Sequence, residues 1–166
     1  MASVYLIEGP VGSGKSTFSK KLSQKINAPH INLDSWMARL FSPDRPASGT
    51  MKWYLERKDR CIEQIWHVTN EILASNCDVI LEIGLIKKIS RQAMYRRIEE
   101  SGHQLFVYVL DVPREIRRAR VQNRNLEKGD TFSMAVPADI FELASNMWEE
   151  PDDIECNEYS IEFVLE

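Results

Sequence analysis

The stretch that decides the fold is Ser3 to Ser16, S-V-Y-L-I-E-G-P-V-G-S-G-K-S. Its first six residues are mostly apolar and predict a short buried strand of a parallel sheet, which ends at Gly9-Pro10. A helix should begin near Gly14, because apolar residues then recur at helical spacing, at Phe18, Leu22 and Ile26. The chain is therefore predicted to open with a strand, a glycine-rich turn and a helix.

The turn between this strand and this helix matches G-x-x-x-x-G-K-[ST], the phosphate-binding P-loop. Glycines permit positive φ and a close approach of the backbone to phosphate oxygens. Successive N–H groups and the helix N-terminus attract anions, while Lys15 supplies a charge for the β- and γ-phosphates and Ser16 a hydroxyl for Mg²⁺. We therefore predict ATP and Mg²⁺ as cofactors. The predicted nucleotide-binding residues are Gly9, Gly12, Ser13, Gly14, Lys15, Ser16 and Thr17.

The rest of the chain alternates between predicted strands and helices. Further strands are expected over residues 30–33, 78–83, 104–110 and 160–165. This alternation predicts an α/β fold, a P-loop NTPase with a parallel sheet of about five strands flanked by helices. With 166 residues, the chain is expected to form a single domain over residues 1–166. A polar segment with Gly129, residues 125–136, predicts a loop or small lid.

Composition excludes several functional classes. The net charge is −4, from 21 basic and 25 acidic residues, so neither nucleic acid nor a membrane surface is an expected partner. Three cysteines without C-x-x-C spacing make a disulfide framework or a cysteine zinc site unexpected. No apolar run approaches the ~18 residues of a membrane span, and no basic leader is visible, so we expect a cytoplasmic protein. A monomer and a dimer both remain open.

Sequence motifs also narrow the kind of P-loop protein. The N-K-x-D segment by which GTPases read guanine does not occur, and neither does the L-S-G-G-Q signature of transporter ATPases. Ring-forming ATPases need an additional helical domain and are usually longer. A small kinase needs only the P-loop, an acceptor site and a lid, so the length favours a kinase.

Two carboxylates follow predicted strands at the edge where open α/β sheets place their sites. Glu82 ends the third strand after three apolar residues, where it can help to hold Mg²⁺; a polar strand terminus at the surface is the alternative. Asp34 follows the second strand, where it can lie near a reacting hydroxyl or simply cap the next helix.

Four further segments resemble a family of small AAA-domain P-loop kinases related to zeta toxin and chloramphenicol phosphotransferase. They are residues 31–41 (I-N-L-D-S-W-M-A-R-L-F), 78–84 (D-V-I-L-E-I-G), 110–125 (L-D-V-P-R-E-I-R-R-A-R-V-Q-N-R-N) and 148–153 (W-E-E-P-D-D). The resemblance implies a nucleoside- or nucleotide-kinase-like fold. It departs from the family at Glu82, where the third strand commonly ends in Asp.

The resemblance also implies roles for individual residues. Asp34 would accept the proton of the acceptor hydroxyl, and Arg120 and Arg124 would approach the phosphates, unless they form a solvated basic face. The expected catalytic residues are Lys15, Asp34, Arg120 and Arg124, and the expected metal ligands are Ser16 and Glu82. Surface positions are expected for Arg114, Arg117 and Arg118, and also for Arg91, with a clamp on an acidic acceptor as its alternative. Residues 149–158 are expected to form a solvated acidic loop.

The implied function is ATP-dependent transfer of the γ-phosphate to a hydroxyl of a small molecule. The acceptor stays open among nucleosides, sugars, antibiotics and peptidoglycan precursors. A P-loop ATPase and a nucleotide-dependent regulatory or binding module, both without a small acceptor, are the alternatives.

Overall fold

A computed structural model describes residues 1–129 and 134–165 of the chain. The strands are β1 (Ser3–Glu8), β2 (His30–Asn32), β3 (Val79–Glu82), β4 (Gln104–Leu110) and β5 (Ile161–Val164). The helices are α1 (Lys15–Ile26), α2 (Leu33–Leu40), α3 (Thr50–Ala74), α4 (Lys88–Glu100), α5 (Arg114–Glu127), α6 (Ala138–Met147) and α7 (Asp153–Glu158), and a 3₁₀ turn spans Ser42–Asp44.

The five strands form one sheet in the order β2-β3-β1-β4-β5, and every pairing is parallel. This confirms the predicted parallel sheet. After β1 the chain forms β2 at one edge, returns with β3 beside β1, and then adds β4 and β5 on the other side, so the strand order reverses beside β1. Ligands of open α/β sheets bind at such a reversal, outside the carboxyl ends of the strands. The glycine-rich turn after Glu8 lies at this point.

Both faces of the sheet are covered, which explains the nearly continuous apolar run of β1. Alternate residues of β1 point to opposite faces: Val4 and Leu6 join the core that includes Ile65 of α3 and Met94 of α4. On the other face, Ile7 packs in the core that includes Leu22 of α1. The P-loop strand is therefore the central strand of the sheet, and all of its residues except Tyr5 are buried.

At the start of α3, the residues that face the core are not those that apolar periodicity alone would predict. Tyr54 packs against the core, so Leu55, about 100° further around the helix, points outward and is exposed. In α6, likewise, Phe141 is buried, whereas the apolar side chains of Ile140, Leu143 and Met147 are accessible to solvent.

Two expectations about charged residues were wrong. The segment 149–158 is not a solvated loop, because it contains α7, whose start is closed by a reciprocal capping box between Asp152 and Glu155. Arg91 is not on the surface: it is fully buried, and its guanidinium donates to both carboxylate oxygens of Glu155 at 2.9 Å. Long-range pairing, rather than local composition, gives these charges their place.

The predicted lid is partly helical, since α5 continues to Glu127. The side-chain amide of Asn125 donates to the Val136 carbonyl at 2.8 Å and accepts from the Val136 N–H at 3.0 Å. These two bonds join the ends of the segment between them. Residues 130–133 of the predicted lid lie outside the described residues.

No helix within residues 1–129 and 134–165 combines the length and the apolar character that crossing a membrane requires.

Candidate active site

The P-loop backbone adopts conformations that only glycine tolerates well. Gly9, Gly12 and Gly14 have φ values of +148°, +78° and +90°. A Cβ on Gly9 would lie 2.3 Å from the carbonyl oxygen of Leu110, and one on Gly12 would lie 2.8 Å from a methyl of Val121. The loop is therefore packed against β4 and α5, and its shape depends on these glycines.

Lys15 lies inside this loop. Its Nζ donates to the carbonyl oxygens of Gly9 and Pro10, both at 2.9 Å. Burial lowers the pKa of Lys15, and the charges of Glu82 and Asp34 oppose that shift. The positive charges of Arg124 and Arg117 lower the pKa further. Two acids and two arginines therefore act electrostatically on Lys15.

The loop has the features of an anion cradle at two other positions. Ser13 is fully buried, and its hydroxyl has no hydrogen-bond partner in the described part of the chain. Ser16 is the second residue of α1, while Thr17, the last predicted nucleotide-binding residue, is exposed. A helix N-terminus and a loop whose backbone N–H groups face inward both favour bound phosphate, so this geometry fits a nucleoside triphosphate.

Glu82 is held on both carboxylate oxygens. The Ser16 hydroxyl donates to Oε1 at 2.7 Å, and His30 Nε2 lies 2.9 Å from Oε2. Glu82 is only 7% exposed, so it is not a polar strand terminus at the surface. Burial raises its pKa, but the His30 hydrogen bond, the Lys15 charge and the Ser16 hydrogen bond together hold the pKa below its usual range. The carboxylate therefore stays ionised at neutral pH.

These side chains fit a magnesium ion. Mg²⁺ prefers oxygen donors and is usually held by one or two protein groups together with substrate phosphates. Ser16 and Glu82 present a hydroxyl and an ionised carboxylate side by side. Within the described residues, no cluster of three or more His, Cys, Asp or Glu side chains provides a metal site made by protein alone. A metal at Ser16 and Glu82 would therefore be shared with the nucleotide.

Asp34 does not cap α2. The cap is Asn32, whose Oδ1 accepts the Ser35 N–H at 2.9 Å, and Asp34 lies one position inside the helix. Neighbouring protein desolvates the Asp34 carboxyl and raises its pKa, and Glu82 raises it further. Lys15, Arg124 and Lys58 act in the opposite direction. Asp34 is exposed and is affected by the charges of Lys15 and Glu82, and because Asn32 caps α2 the capping interpretation is wrong.

The arginines of α5 occupy three different environments. Arg124 is half-buried, its Nε has no hydrogen-bond partner among the described residues, and its charge acts on both Lys15 and Asp34. Arg120, one turn earlier, is also half-buried but is not among the main charges acting on those two groups. The expected surface position of Arg117 was wrong, because this side chain is buried beneath the P-loop.

Arg117 connects three parts of the chain. Its guanidinium donates to the carbonyl oxygens of Val112 at 2.8 Å and Val11 at 2.9 Å, and to the Ser145 hydroxyl at 3.0 Å. Arg114 and Arg118 instead pair with Glu142 on α6, at 3.4 and 2.7 Å, and are partly exposed.

Sequence reasoning missed two residues of the site, His30 and Asn32. Asn32 caps α2 through its oxygen and donates its amide to the Ser16 hydroxyl at 3.3 Å. An asparagine before a helix is a recognisable cap signal, but its second contact depends on tertiary structure. His30 carries no local signal, since its partner Glu82 is 52 residues away and reaches it only through pairing of β2 with β3.

Comparisons with known proteins agree with this architecture. Residues 4–145 match the family model described as AAA domain. An adenylate kinase from Chlamydia pneumoniae is 32% identical over 74 residues, which are 44% of this chain and 35% of that enzyme. The match thus spans about a third of the curated relative's length.

Two solved structures share the fold at low sequence identity. A gluconokinase from Sinorhizobium meliloti 1021 has a TM-score of 0.63 at 18% identity, with 98% of this chain and 81% of that one covered. Chaetomium thermophilum Kti12, in complex with ADP-AlF3, has a TM-score of 0.70 at 16% identity, with 97% and 88% covered. The predicted small P-loop kinase fold is confirmed, whereas the relation to zeta toxin and chloramphenicol phosphotransferase stays a prediction.

Proposed function

The chain belongs to the AAA domain family, and we propose that it is an ATP-dependent phosphotransferase that acts on a hydroxyl of a small molecule. The observation that carries this proposal is the placement of Asp34. The charges of Lys15 and Glu82 act on the pKa of its carboxyl, and the helix cap that would otherwise explain it is provided by Asn32. An acid in this position could take the proton from an acceptor hydroxyl that lies next to the phosphates.

The nucleotide would be bound by the loop and the start of α1, that is, by Gly9, Gly12, Ser13, Gly14, Lys15, Ser16 and Thr17. Ser16 and Glu82 would hold Mg²⁺, which neutralises charge on the phosphates when bound. The existing bond between the Ser16 hydroxyl and Glu82 supports this assignment, because it keeps both oxygen donors on one side of the cleft.

In the transfer itself, the acceptor oxygen forms a bond to the γ-phosphorus as the bond from that phosphorus to ADP breaks. Asp34 takes the hydroxyl proton, for which the carboxyl must be ionised; Lys15 and Arg124 favour that form. Arg124 has a buried Nε without a partner in the described chain, and it would offset charge on the transferring group. Arg120 would contribute from the preceding turn of α5.

A nucleotide-dependent module without a small acceptor is the second candidate, with P-loop ATPase activity as its enzymatic form. It is favoured by apolar side chains that are exposed on the two helices next to the cleft. Leu40 on α2 is 57% exposed, and Met51 and Leu55 at the start of α3 are 56% and 47% exposed. Such side chains suit contact with another macromolecule.

The proposal is tested with Asp34→Asn, which retains the shape of the side chain but cannot accept a proton. We expect ATP to raise the melting temperature of the variant as it does for the wild type. Phosphotransfer should fall by roughly 10²–10⁴, the usual contribution of general-base catalysis. The measurement is a metabolite-library screen with ATP and Mg²⁺, scored by the mass shift of the acceptor.

Lys15→Ala is the matched control, because it removes the charge that faces the β- and γ-phosphates and leaves Asp34 in place. This variant should lose the ATP-induced rise in melting temperature. Equal ATP shifts in wild type and Lys15→Ala would contradict the nucleotide site. Near-normal transfer by Asp34→Asn would contradict its role, and ATP hydrolysis without any phosphorylated acceptor would favour the second candidate.

A further inference from the structure

The helices cover the two faces of the sheet unequally. On one face, α4 packs over β4, and Val107 and Val109 of that strand are 1% and 0% exposed. On the other face, α1 packs over β1, β2 and β3. Successive side chains of a strand point to opposite faces, so Phe106 and Tyr108 lie on the α1 side of β4. Both are only half-buried by the residues that the structure describes, so this side of β4 is partly open to solvent.

A continuous row of aromatic rings occupies this open side. The ring centroid of Phe106 lies 5.2 Å from that of Tyr5, which lies 6.5 Å from that of Tyr108. The Tyr108 ring is in turn 5.2 Å from the ring of Phe18 on α1. All four side chains are half-buried, and together they form what we call the aromatic face. Contiguous apolar and aromatic surface of this kind is typical of the centre of a protein interface.

Charges of opposite sign border the aromatic face. Glu162 of the edge strand β5 is in register with Tyr108, so its exposed side chain lies on the same face of the sheet. Burial raises the pKa of Tyr108, and the charge of Glu162 raises it further. Lys21 and Lys25 are exposed and follow Phe18 by three and seven residues, on the same side of α1. The face thus has an acidic border on β5 and a basic border on α1.

This distribution of charge makes the aromatic face complementary to a second copy of itself. In a two-fold symmetric pair, the same surface of both copies is in contact. An axis through the aromatic rings would bring the basic border of each copy to the acidic border of the other. A surface with charges of one sign would instead repel its own copy.

Single-stranded nucleic acid is the other partner that aromatic rings and lysines can attract, and it fits less well. Base stacking requires exposed ring faces. Tyr5 and Phe106 stack on each other with 20° between their ring planes, so each covers a face of the other. Glu162 at the border and the net charge of −4 also oppose a polyanion. The observations therefore favour a second copy of this chain.

We propose that the aromatic face is the interface of a symmetric homodimer, in which Lys21 and Lys25 of each copy meet Glu162 of the other. The aromatic rings form the apolar centre of this interface, and the charged borders set the orientation of the two copies. The nucleotide loop lies outside the face, at the carboxyl ends of the strands, so each copy keeps its own open loop. The inference therefore does not depend on the proposed function.

The test is sedimentation velocity of the full chain over a range of protein concentrations. We expect the wild type to sediment as a dimer that dissociates on dilution. The double variant Lys21→Glu/Lys25→Glu and the variant Glu162→Lys each replace attraction by repulsion at two symmetric places. Each should therefore raise the Kd of its own dimer about tenfold or more.

Mixing these two variants gives the most specific result. In the heterodimer, the new acids of one copy meet the new lysine of the other, and the unchanged Glu162 of the first meets the unchanged lysines of the second. Both contacts are attractive again, so the mixture should dimerise with about the affinity of the wild type. A purely structural effect of either substitution on its own copy could not be reversed by mixing.

Two further variants test the centre of the interface and its specificity. Phe106→Gln removes an aromatic ring from each copy and should raise the Kd of the dimer about a hundredfold. Lys52→Glu reverses the charge of a highly exposed lysine on α3, outside the aromatic face, and should leave the Kd unchanged. The ATP-induced rise in melting temperature should be the same in every variant, which also shows that each one folds.

Other outcomes contradict the inference. A wild type that stays monomeric at every concentration would overturn it, as would a dimer whose Kd is the same in Phe106→Gln and in the charge variants, because that dimer uses another surface. Failure of the mixed variants to dimerise would also overturn the paired borders. A monomer that binds single-stranded oligonucleotide, and loses that binding in Phe106→Gln, would assign the aromatic face to nucleic acid instead. None of these results would alter the proposed function.

Discussion

Glu82 shows how a single residue depends on its neighbours. The side chain is one methylene longer than the Asp found in the resembling kinases, and both of its carboxylate oxygens are occupied. Ser16 contacts Oε1, and His30 contacts Oε2. A longer and more flexible acid needs this second contact to keep one oxygen aimed at Ser16. We therefore predict that His30 acts through Glu82 as a positioning residue.

The replacement His30→Leu tests this role. The His30 hydrogen bond orients Glu82 and lowers the pKa of that carboxyl, and the replacement removes this bond. It also leaves a buried carboxylate oxygen of Glu82 without a partner. We expect the Mg²⁺ concentration needed for the full ATP-induced rise in melting temperature to increase by about tenfold to a hundredfold, as for other groups that orient metal ligands. His30→Gln, which can still donate, should recover part of the loss. An unchanged Mg²⁺ midpoint in His30→Leu would count against the role.

At the scale of elements, α5 packs against the nucleotide loop and donates a hydrogen bond to it. Arg117 donates to Val11 within the loop, to Val112 before the helix and to Ser145 on α6. The same helix approaches Gly12 so closely that a Cβ there would lie 2.9 Å from the Arg117 carbonyl oxygen. The P-loop is thus held by a helix more than a hundred residues away in sequence.

Arg117→Met should therefore affect both stability and nucleotide binding. Two buried hydrogen bonds and one partly buried bond lose their charged donor, so we expect the free energy of unfolding to fall by about 2–3 kcal/mol in urea denaturation. The ATP-induced rise in melting temperature should also shrink, because the carbonyl of Val11 is no longer held. Arg118→Met, its more exposed neighbour, is the control and should alter neither property substantially. Equal effects of the two substitutions would show that burial of Arg117 is unimportant.

At the scale of the whole molecule, one buried cluster joins β1, α4 and α7. Glu8, the last residue before the P-loop, accepts the Tyr95 hydroxyl at 2.8 Å and lies 3.8 Å from Arg91. Arg91 is in turn paired with Glu155. Burial raises the pKa of Glu8 to about 8, although Tyr95 and Arg91 oppose the shift. The carboxyl-terminal segment is thereby connected to the start of the nucleotide loop.

This cluster makes stability depend on pH. Between the ordinary value of 4.5 and about 8, the folded protein holds a proton on Glu8 that the unfolded chain has released. The free energy of unfolding should therefore contain a contribution that falls as pH rises through this window. Glu8→Gln removes that contribution, and its oxygen can still accept from Tyr95. We expect the wild type to lose stability relative to Glu8→Gln between pH 5 and pH 8, as measured by urea denaturation.

Glu63→Gln is the control for this experiment. Glu63 is exposed, and its pKa is lowered by the Arg97 hydrogen bond, so it remains ionised in both states across the same window. Its stability difference from the wild type should be the same at pH 5 and pH 8. A difference between wild type and Glu8→Gln that does not change with pH would contradict the raised pKa of Glu8.

The sequence by itself determined the class of fold and the nucleotide loop. Strand, turn and helix periodicity are local properties, and β1 and β4 were predicted with the bounds that the structure has. The P-loop could be recognised because its eight residues are contiguous, and their function depends on backbone conformation and helix polarity that glycine and sequence order set locally.

Only the tertiary structure decided which charged side chains are buried and which partners they have. Arg91 and Glu155 are 64 residues apart, Ser16 and Glu82 are 66, and neither pair leaves a periodic signal in the sequence. An arginine on a polar helix looks the same whether it is solvated or buried, because its burial depends on a partner that another element brings to it. The role of the P-loop lysine could thus be predicted from local sequence order, whereas the ion pair of Arg91 and the His30 contact to Glu82 required the packed fold.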